Sequence, residues 1–366
     1  MKIAVFHNLP PGGAKRVLYE EIRLLTVKNE LHLFELELTD ESFLDVRPFC
    51  EKIYSFPFEI NSCLPGFLAR LEKDYRNFVS LAALHKKIAR QIDQGKFNFC
   101  LVHPDQLTQA PFLLKFLITP SIYFCQELLR IVYEKELAFE KTGNRFKNSY
   151  EELTRGIRKN IDKNNASSAT RILTSSRYIQ EKVKKAYKKK AEVCSLGVDT
   201  GLFKPYPVKS KDQVLFIGGN DKISGFDFAQ NVFRLAALPG LRFKRIIFSK
   251  DFRDQDLVKE YSRSLVTLCT GVNEPFGLVA LESMACRTPV LAVNEGGYRE
   301  TVINGKTGFL HNRDPGEFAQ KIKLFARNPS LVRKIGFEGR KQVIKKWTWQ
   351  NHVQRLTSLM KKFDSE

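Results

Sequence analysis

Residues 274–292, EPFGLVALESMACRTPVLA, place two glutamates eight positions apart around a turn that contains proline and glycine. Pro275 and Gly277 are typical of a helix start, so the segment predicts a helix of about two turns. The first backbone N–H groups of such a helix lack intrahelical partners and, with the helix dipole behind them, form a site suited to phosphate. Gly277 would also let a ligand approach the backbone closely. The N–H groups concerned belong to Phe276, Gly277, Leu278 and Val279.

The two carboxylates lie on either side of this predicted phosphate site. Glu274 precedes the helix, and Glu282 is expected about 7 Å further along its axis. Carboxylates accept hydrogen bonds from hydroxyl groups, so the pair is suited to two sets of sugar hydroxyls. A sugar, a diphosphate and a ribose in that order describe a nucleotide sugar. The alternative is that the spacing arose by chance, because acidic residues are favoured at helix N-termini anyway.

Short apolar runs alternate with helical patterns along the chain, which is typical of βαβ units and parallel sheets. A segment rich in glycine, proline and charge at 197–213 interrupts the alternation and is typical of a linker. Near the C-terminus, helical patterns are expected on both sides of a break near Trp347–Trp349. The runs with strand character are KIAVF, LHLFEL, FNFCLV, SIYFC, RILTSS, VLFIGG, FKRIIF, LVTLC and PVLAVN.

The sequence therefore predicts an α/β protein with two Rossmann-like, doubly wound domains in tandem. The predicted bounds are 1–200 for the first domain, 201–212 for the linker, 213–346 for the second domain and 347–366 for a terminal helix. Ligands of such sheets bind beyond the carboxyl ends of the strands, so a cleft that both domains face is the expected site.

Composition indicates a globular protein, with 43% hydrophobic and 27% charged residues in a chain of 366. The N-terminal apolar run is too short for a signal peptide, and no stretch reaches the ~18 apolar residues of a membrane helix. The seven cysteines are scattered without a C-x-x-C pair, which indicates buried thiols in a reducing compartment. Together these features predict a cytoplasmic protein.

The formal net charge of +20 favours an anionic partner. Two basic runs, RGIRKNIDK at 155–163 and KVKKAYKKK at 182–190, lie in the first half. They are either solvated helix faces or a patch for anionic lipid headgroups at the inner face of a membrane. Nucleic acid is the third option, although the basic runs carry a single aromatic residue, Tyr187, and no recognised motif.

The segment EPFGLVALESMACRTPVLAVNEGGYRETVINGKTGFL closely resembles the E-x7-E segment of the retaining GT-B glycosyltransferases of family four, also called group 1. Weaker matches run in order along the chain, and they include the GT-B terminal helix that crosses back to the first domain. The resemblance implies two domains that face a cleft and sugar transfer with retention, usually without a metal ion. The weaker matching segments are PPGGAKRVL, ILTSSRYIQEKV, SLGVDTGLFKP, VLFIGGNDKISGFDFA and KKWTWQNHV.

The resemblance also implies roles for single residues. Glu274 would hold the donor sugar's hydroxyls with the amides of Phe276 and Gly277, and Glu282 would hold the ribose diol. The amides of Leu278 and Val279 would face the diphosphate. Gly12 and Gly13, in the first Gly-Gly loop, would let the backbone reach the phosphates. The donor is then a substrate, no cofactor is implied, and no H-E-x-x-H motif or Cys/His cluster argues for a metal.

Three departures from the family pattern concern the same site. Family members usually carry an arginine and a lysine on the diphosphate, but these positions hold Gly219 and Ser224 here. Lys222 either substitutes for them or is a surface lysine. The span between Gly225 and Glu274 is short, which leaves the pocket for the nucleotide base undefined.

The third departure is at the histidine that the family often places against the donor sugar. SIYFCQELLR offers Gln126 and Glu127 there, and their side chains can hold sugar hydroxyls. His103, near the end of the run FNFCLVHPD, either faces a substrate or caps a loop.

The leading hypothesis is a glycosyltransferase that uses a nucleotide-diphosphate sugar and a glycan or lipid-linked acceptor, such as a precursor of a cell-envelope glycan. A catalytically degenerate family member that serves as a sugar-binding or partner subunit is the alternative that Gly219 and the short span suggest. A basic nucleic-acid-binding protein is the alternative that charge alone suggests.

Overall fold

Two parallel β-sheets with helices between their strands make up the described part of the chain. The computed structural model describes residues 1–139, 141–219, 221–247 and 253–365. Contacts divide the chain into two compact units. The first unit comprises Met1–Ser175, Ile179–Val193 and Thr357–Glu366, and the second comprises Ser176–Tyr178 and Cys194–Leu356.

The first unit contains a seven-stranded sheet in the order β3-β2-β1-β4-β5-β6-β7. Its inner strands are buried on both faces, which explains why KIAVFHN and SIYFC are nearly continuous apolar runs. The strands are β1 (Lys2–Asn8), β2 (Glu30–Leu36), β3 (Lys52–Phe56), β4 (Phe99–Asp105), β5 (Ser121–Cys125), β6 (Arg171–Thr174) and β7 (Glu192–Val193).

Helices connect these strands, and one of them is unusually long. Helix α2 continues through a π-helical turn at Arg76–Ser80 into α3, so that one helical rod runs over 66–94. Short 3₁₀ turns lie at Arg47–Phe49 and Lys135–Leu137. The helices that begin before residue 194 are α1 (Gly13–Leu25), α2 (Gly66–Tyr75), α3 (Leu81–Gln94), α4 (Leu113–Phe116), α5 (Arg130–Tyr133), α6 (Arg145–Ser168) and α7 (Arg177–Tyr187).

The second unit contains a five-stranded sheet in the order β12-β11-β10-β8-β9. The strands are β8 (Gln213–Ile217), β9 (Arg242–Ile246), β10 (Ser264–Cys269), β11 (Val290–Val293) and β12 (Gly308–His311). The helices that begin after residue 194 are α8 (Phe226–Ala236), α9 (Asp254–Arg263), α10 (Leu278–Ala285), α11 (Tyr298–Thr301), α12 (Pro315–Arg327), α13 (Pro329–Lys346) and α14 (Trp349–Asp364).

The predicted break near Trp347 is confirmed, because α13 ends at Lys346 and α14 begins at Trp349. The segment predicted as a linker contains no helix or named strand in the structure. It is nevertheless tied down: the Lys211 ammonium group donates to the carbonyl oxygens of Ser262 and Ser264 at 3.0 and 2.9 Å. Within the described ranges, no helix combines the length and apolar character needed to cross a membrane.

Candidate functional site

The strand order of the second sheet locates a ligand site in the second unit. The chain leaves β8 towards β9 on one side and then returns to β10 on the other, so β8 and β10 form a topological switch point. Loops beyond the carboxyl ends of such strands are where open α/β sheets bind ligands. The two loops, whose described residues are 218–219, 221–225 and 270–277, are joined because the Val272 N–H donates to the Ile223 carbonyl oxygen at 2.8 Å. Glu274 lies in the second of these loops.

The start of α10 is held by the first glutamate itself. Gly277 is the N-cap residue, and its N–H donates to Glu274 Oε1 at 3.2 Å. This corrects the expectation that the Gly277 N–H is open to a ligand, because a carboxylate already occupies that end of the helix. Among the hydrogen bonds of the described residues, the N–H groups of Leu278 and Val279 have no acceptor. These two amides, with the helix dipole, keep the predicted affinity for phosphate.

Gly277 is required by its surroundings. Its φ of +100° lies in the left-handed region, and an added Cβ would lie 2.9 Å from a ring atom of Tyr298. The structural reason for the glycine is thus the buried Tyr298 ring, whereas the sequence suggested the approach of a ligand. Burial first and the charge of Glu274 second raise the pKa of Tyr298 well above its ordinary value. Tyr298 is therefore a neutral phenol that supports the Glu274 loop.

The Gly-Gly step at 296–297 brings the chain against the same loop. The Gly297 N–H donates to the Glu274 carbonyl oxygen at 2.7 Å. A Cβ at Gly296 would lie 2.3 Å from that oxygen, and one at Gly297 would lie 2.5 Å from the Phe276 Cα atom. Both glycines therefore permit a close backbone approach that fixes the position of Glu274.

Replacement of Gly277 by alanine tests this packing. We expect Gly277→Ala to lower the free energy of unfolding by about 3 kcal/mol, because left-handed backbone costs about 1–2 kcal/mol and overpacking adds about 1–3. Gly240→Ala is the matched control, since Gly240 has a φ of +79° but open space around its Cβ position. We expect only about 1 kcal/mol for the control. Urea denaturation of both variants measures the difference, and equal losses would contradict the role of Tyr298.

The second glutamate lies in the interior of the unit. Glu282 is 6% exposed, and the buried Tyr261 hydroxyl donates to its Oε2 at 2.8 Å. Burial, followed by the charge of Glu282, raises the pKa of Tyr261 well above its ordinary value. Helix α10 is thus an interior helix, and Tyr261 fixes the orientation of the Glu282 carboxylate. The sequence offered no indication of Tyr261, which lies 21 positions away on α9.

The loop after β8 contains Gly219 and Ser224, at the positions where family members carry an arginine and a lysine. The Ser224 hydroxyl donates to the carbonyl oxygens of Gly219 and Asp221 at 2.8 and 2.9 Å, so it closes the loop. Lys222 is exposed on the same loop. Residues 248–252, which belong to the shortened span, lie outside the described residues.

A cation that the sequence did not indicate lies beside this loop. Arg245 pairs in parallel register with Phe216 of β8, and its Nη2 donates to the Gly218 carbonyl oxygen at 3.4 Å. Its guanidinium carbon lies 3.7 Å from the ring centroid of Phe226 at the start of α8. Its Nε is buried and has no hydrogen-bond partner among the described residues. Arg245 therefore places a positive charge at the carboxyl end of the sheet.

A second arginine braces the Glu274 loop from the other side. Arg313 donates to both carboxylate oxygens of Glu295, at 3.1 and 2.7 Å, and to the Thr270 carbonyl oxygen at 2.9 Å. Bidentate pairing of this kind fixes the guanidinium group. Its positive charge therefore lies at the carboxyl end of β10, where an anionic ligand would be favoured.

In the first unit the switch point lies between β1 and β4, and the predicted Gly-Gly loop follows β1. Gly12 caps α1 with a φ of +153°, and no atom lies within 4 Å of an added Cβ. Gly13 is the first residue of α1. The Gln126 side-chain amide donates to the Ala14 carbonyl oxygen at 3.4 Å. The structure thus brings Gln126 to the first turn of α1, beside the Gly-Gly loop.

His103 has a different setting from that of Gln126. It is fully buried, its Nε2 lies 2.9 Å from Glu21 Oε2 on α1, and its ring stacks on Phe124. The strand that carries it continues to Asp105, so His103 lies within the sheet layer and not beyond the strand end. This burial favours a structural role.

One group of potential metal ligands occurs within the described residues: His7, Glu35 and Glu41. The buried Lys15 ammonium group forms an ion pair with Glu41 and so supplies a positive charge at that place. Burial, followed by the charge of Lys15, holds the pKa of His7 well below its ordinary value. The Lys15 ammonium group thus balances the charge of Glu41.

The second basic run lies at the C-terminal end of α7 and in the loop that follows. Four of its lysines line a cavity of about 780 Å³ at the β7 edge of the first sheet. Cations outnumber carboxylates around this cavity, so its potential is positive. The charged residues that line it are Arg171, Glu181, Lys184, Lys188, Lys189, Lys190, Glu192 and Lys362.

Comparison with known proteins finds similarity to glycosyltransferases in the part of the chain that contains Glu274 and α10. Residues 209–342 match the family described as "Glycosyl transferases group 1". Alpha-1,3/1,6-mannosyltransferase ALG2 of Homo sapiens is 36% identical over 111 residues, which are 30% of this chain but only 27% of that protein's length.

Solved structures resemble the whole chain. Sucrose-phosphate synthase from Thermosynechococcus elongatus superimposes with a TM-score of 0.75 at 17% identity over 100% of this chain and 99% of that one. Anabaena Alr3699/HepE in complex with UDP-glucose gives a TM-score of 0.67 at 15% identity over 99% and 100%. At such identities these likenesses show the fold. Residues 209–342 thus belong to the glycosyl transferases group 1 family, and the chain has the α/β fold of the GT-B glycosyltransferases.

Proposed function

We propose that this protein transfers a sugar from a nucleotide-diphosphate sugar to a glycan or lipid-linked acceptor, with retention and without a metal ion. The observation that carries the proposal is the Glu274 carboxylate at the start of α10, beside two amides without acceptors and within the matched segment. A carboxylate beside such amides suits a sugar linked to phosphate, because hydroxyls donate to the one and phosphate oxygens accept from the others.

In this proposal each residue has one task. Glu274 accepts hydrogen bonds from the hydroxyls of the donor sugar, and the Leu278 and Val279 amides hold the diphosphate. Glu282, oriented by Tyr261, accepts hydrogen bonds from the ribose. Amides and cations stabilise the charge that develops on the leaving diphosphate, as in an oxyanion hole.

Two cations of the second unit complete the proposed donor set. Arg245 and Lys222 lie on or beside the loop after β8, where the family's arginine and lysine are absent. For Gly12, Gly13 and Gln126 of the first unit, the roles in backbone access and as an amide donor stay predictions from the family resemblance. We propose a UDP-sugar as the first donor to test, since HepE was solved with UDP-glucose.

The proposed location is cytoplasmic and peripheral at the inner face of a membrane. The net charge of +20 and the lysine-lined cavity of the first unit support an anionic partner. A lipid-linked acceptor fits this location, because its anionic headgroup would lie where the basic surface of the protein binds.

A catalytically degenerate partner subunit is the second candidate. The observation that favours it is Ser224, whose hydroxyl is used within the loop at the place where family members carry a cation. Such a protein would keep the fold and lose the affinity for diphosphate.

Calorimetry with UDP, GDP, ADP and TDP and their sugars, with and without EDTA, separates the two candidates. We expect one nucleotide to bind, and the other nucleotides serve as the internal control. A tenfold excess over Kd then stabilises the fold by about 1.4 kcal/mol, which a thermal shift detects. Unchanged binding in EDTA supports metal independence. Silence across the whole panel would contradict the transferase proposal and favour the partner subunit.

A further inference from the structure

The first half of the helical rod over 66–94, α2 with the π-helical turn, presents large apolar side chains to solvent. Phe67, Leu71, Tyr75 and Val79 recur every four residues and are 57, 40, 60 and 50% exposed. These four residues are called the apolar stripe below. Leu68, beside it, is 54% exposed. Large apolar groups that share one face of a helix mark an interaction surface, whereas scattered ones do not.

Polar residues of α2 make most of its contacts with the rest of the protein. Asp74 is the buried residue of this helix, and it accepts hydrogen bonds from the Tyr150 hydroxyl at 2.6 Å and from Arg158 Nη2 at 2.8 Å. Arg70 forms an ion pair with Glu151. The helix is therefore anchored to α6 mainly through polar contacts, which inverts the usual orientation of an amphipathic helix. The Phe67 ring of the apolar stripe also contacts the Tyr150 ring edge-on, with centroids 5.1 Å apart, whereas Leu71, Tyr75 and Val79 are left for a partner.

The carboxylates of the rod contact the protein, whereas several of its basic side chains are exposed. Its three carboxylates are engaged by the protein: Glu72 with Arg76, Asp74 as above, and Asp93 with the Thr119 N–H and hydroxyl groups. The exposed lysines and arginine of the rod that have no acidic partner among the described residues are Lys73, Lys86, Lys87 and Arg90. The outward face thus combines apolar side chains with positive charge.

We propose that the apolar stripe docks into the interfacial region of an anionic lipid bilayer, with the exposed cations on the headgroups. This combination is typical of helices that lie in the membrane interface. A second copy of the chain is a poorer occupant, because it would place the same cations against each other. This inference rests on the proposed function, because docking on a membrane would bring the transferase to a lipid-linked acceptor.

Vesicle flotation of the full chain tests the docking surface. The probe is phosphatidylcholine vesicles with and without phosphatidylglycerol, at physiological salt. We expect the protein to float with the mixed vesicles and the double variant Leu71→Gln, Val79→Gln to partition about tenfold less or lower still, because two apolar side chains no longer insert. Both side chains are exposed, so the fold should tolerate the change. The matched control is Leu235→Gln, Ile344→Gln, at residues of the second unit that are 47 and 48% exposed.

The outcomes are distinct. Flotation of the control but not of the stripe variant supports the proposal. No flotation of the parent protein, or equal flotation of both variants, overturns it. So does dimerisation of the parent that the stripe variant abolishes, since a second copy would then be the occupant. Nucleotide binding is measured on the same samples, because it tests the donor site independently of the membrane surface. If no nucleotide binds, the transferase proposal is contradicted, but the vesicle result still holds.

Discussion

Replacement of Glu274 by glutamine is expected to lower kcat/KM for sugar transfer by about 10²–10³-fold, the size of effect seen when one well-placed charge-stabilising group is lost. Glutamine retains an acceptor oxygen for the Gly277 N–H, which Glu274 Oε1 now binds at 3.2 Å. The start of α10 is therefore expected to stay intact. What is lost is the negative charge, and hydrogen bonds to an ionised acceptor are roughly twice as strong as neutral ones.

The control for this prediction is Glu260→Gln. Glu260 lies on α9 and accepts a hydrogen bond from the Gln213 side-chain amide at 2.8 Å, at the amino end of β8. Glu260→Gln is therefore the same chemical change, made at the amino ends of the strands and away from the proposed donor site. Initial rates with the nucleotide sugar found by calorimetry, together with the melting temperature of each variant, measure the effect. Full activity of Glu274→Gln, or equal losses in both variants, would show that Glu274 does not act on the donor.

The nine strands expected from the sequence all occur, and the strands it missed share a position in the sheets. β3, β7 and β12 are edge strands. An edge strand is covered on fewer sides, so its residues carry a weaker apolar signal: KIYSF has one buried residue, and β7 is two residues long. The inner strands are buried on both faces, so successive residues are apolar and the strands can be predicted from these apolar runs.

The site divides in a similar way between local and long-range features. Glu274, Gly277 and the start of α10 follow from residues within one turn of each other, so local rules could predict them. Tyr261 contacts Glu282, which is 21 residues away in the sequence, and Arg313 contacts Thr270, which is 43 residues away. Only the sheet order brings them there, and no spacing in the sequence marks them. Gly277 shows the mixed case, because the sequence predicted its place but not the Tyr298 ring that requires it.

Substitution of Glu282 by glutamine is expected to weaken nucleotide binding by about 10- to 100-fold. Each tenfold step corresponds to about 1.4 kcal/mol, and loss of one charged hydrogen-bonding partner costs about 1.5–3. Alanine would be a poorer choice, because it would leave the buried Tyr261 hydroxyl without its acceptor and lower the stability of the unit as well. Glutamine keeps an acceptor oxygen for Tyr261 while it removes the charge proposed to hold the ribose.

Tyr261→Phe is the control that separates binding from packing. It removes the donor that lies 2.8 Å from Glu282 Oε2 but keeps the carboxylate. Its stability loss is expected to be about 1 kcal/mol, the usual value of one hydrogen bond, and its effect on nucleotide affinity should be smaller than that of Glu282→Gln. Calorimetry and denaturation of both variants give the two quantities. If Tyr261→Phe weakens nucleotide binding as much as Glu282→Gln does, then the orientation of α10, and not the charge of Glu282, governs the affinity.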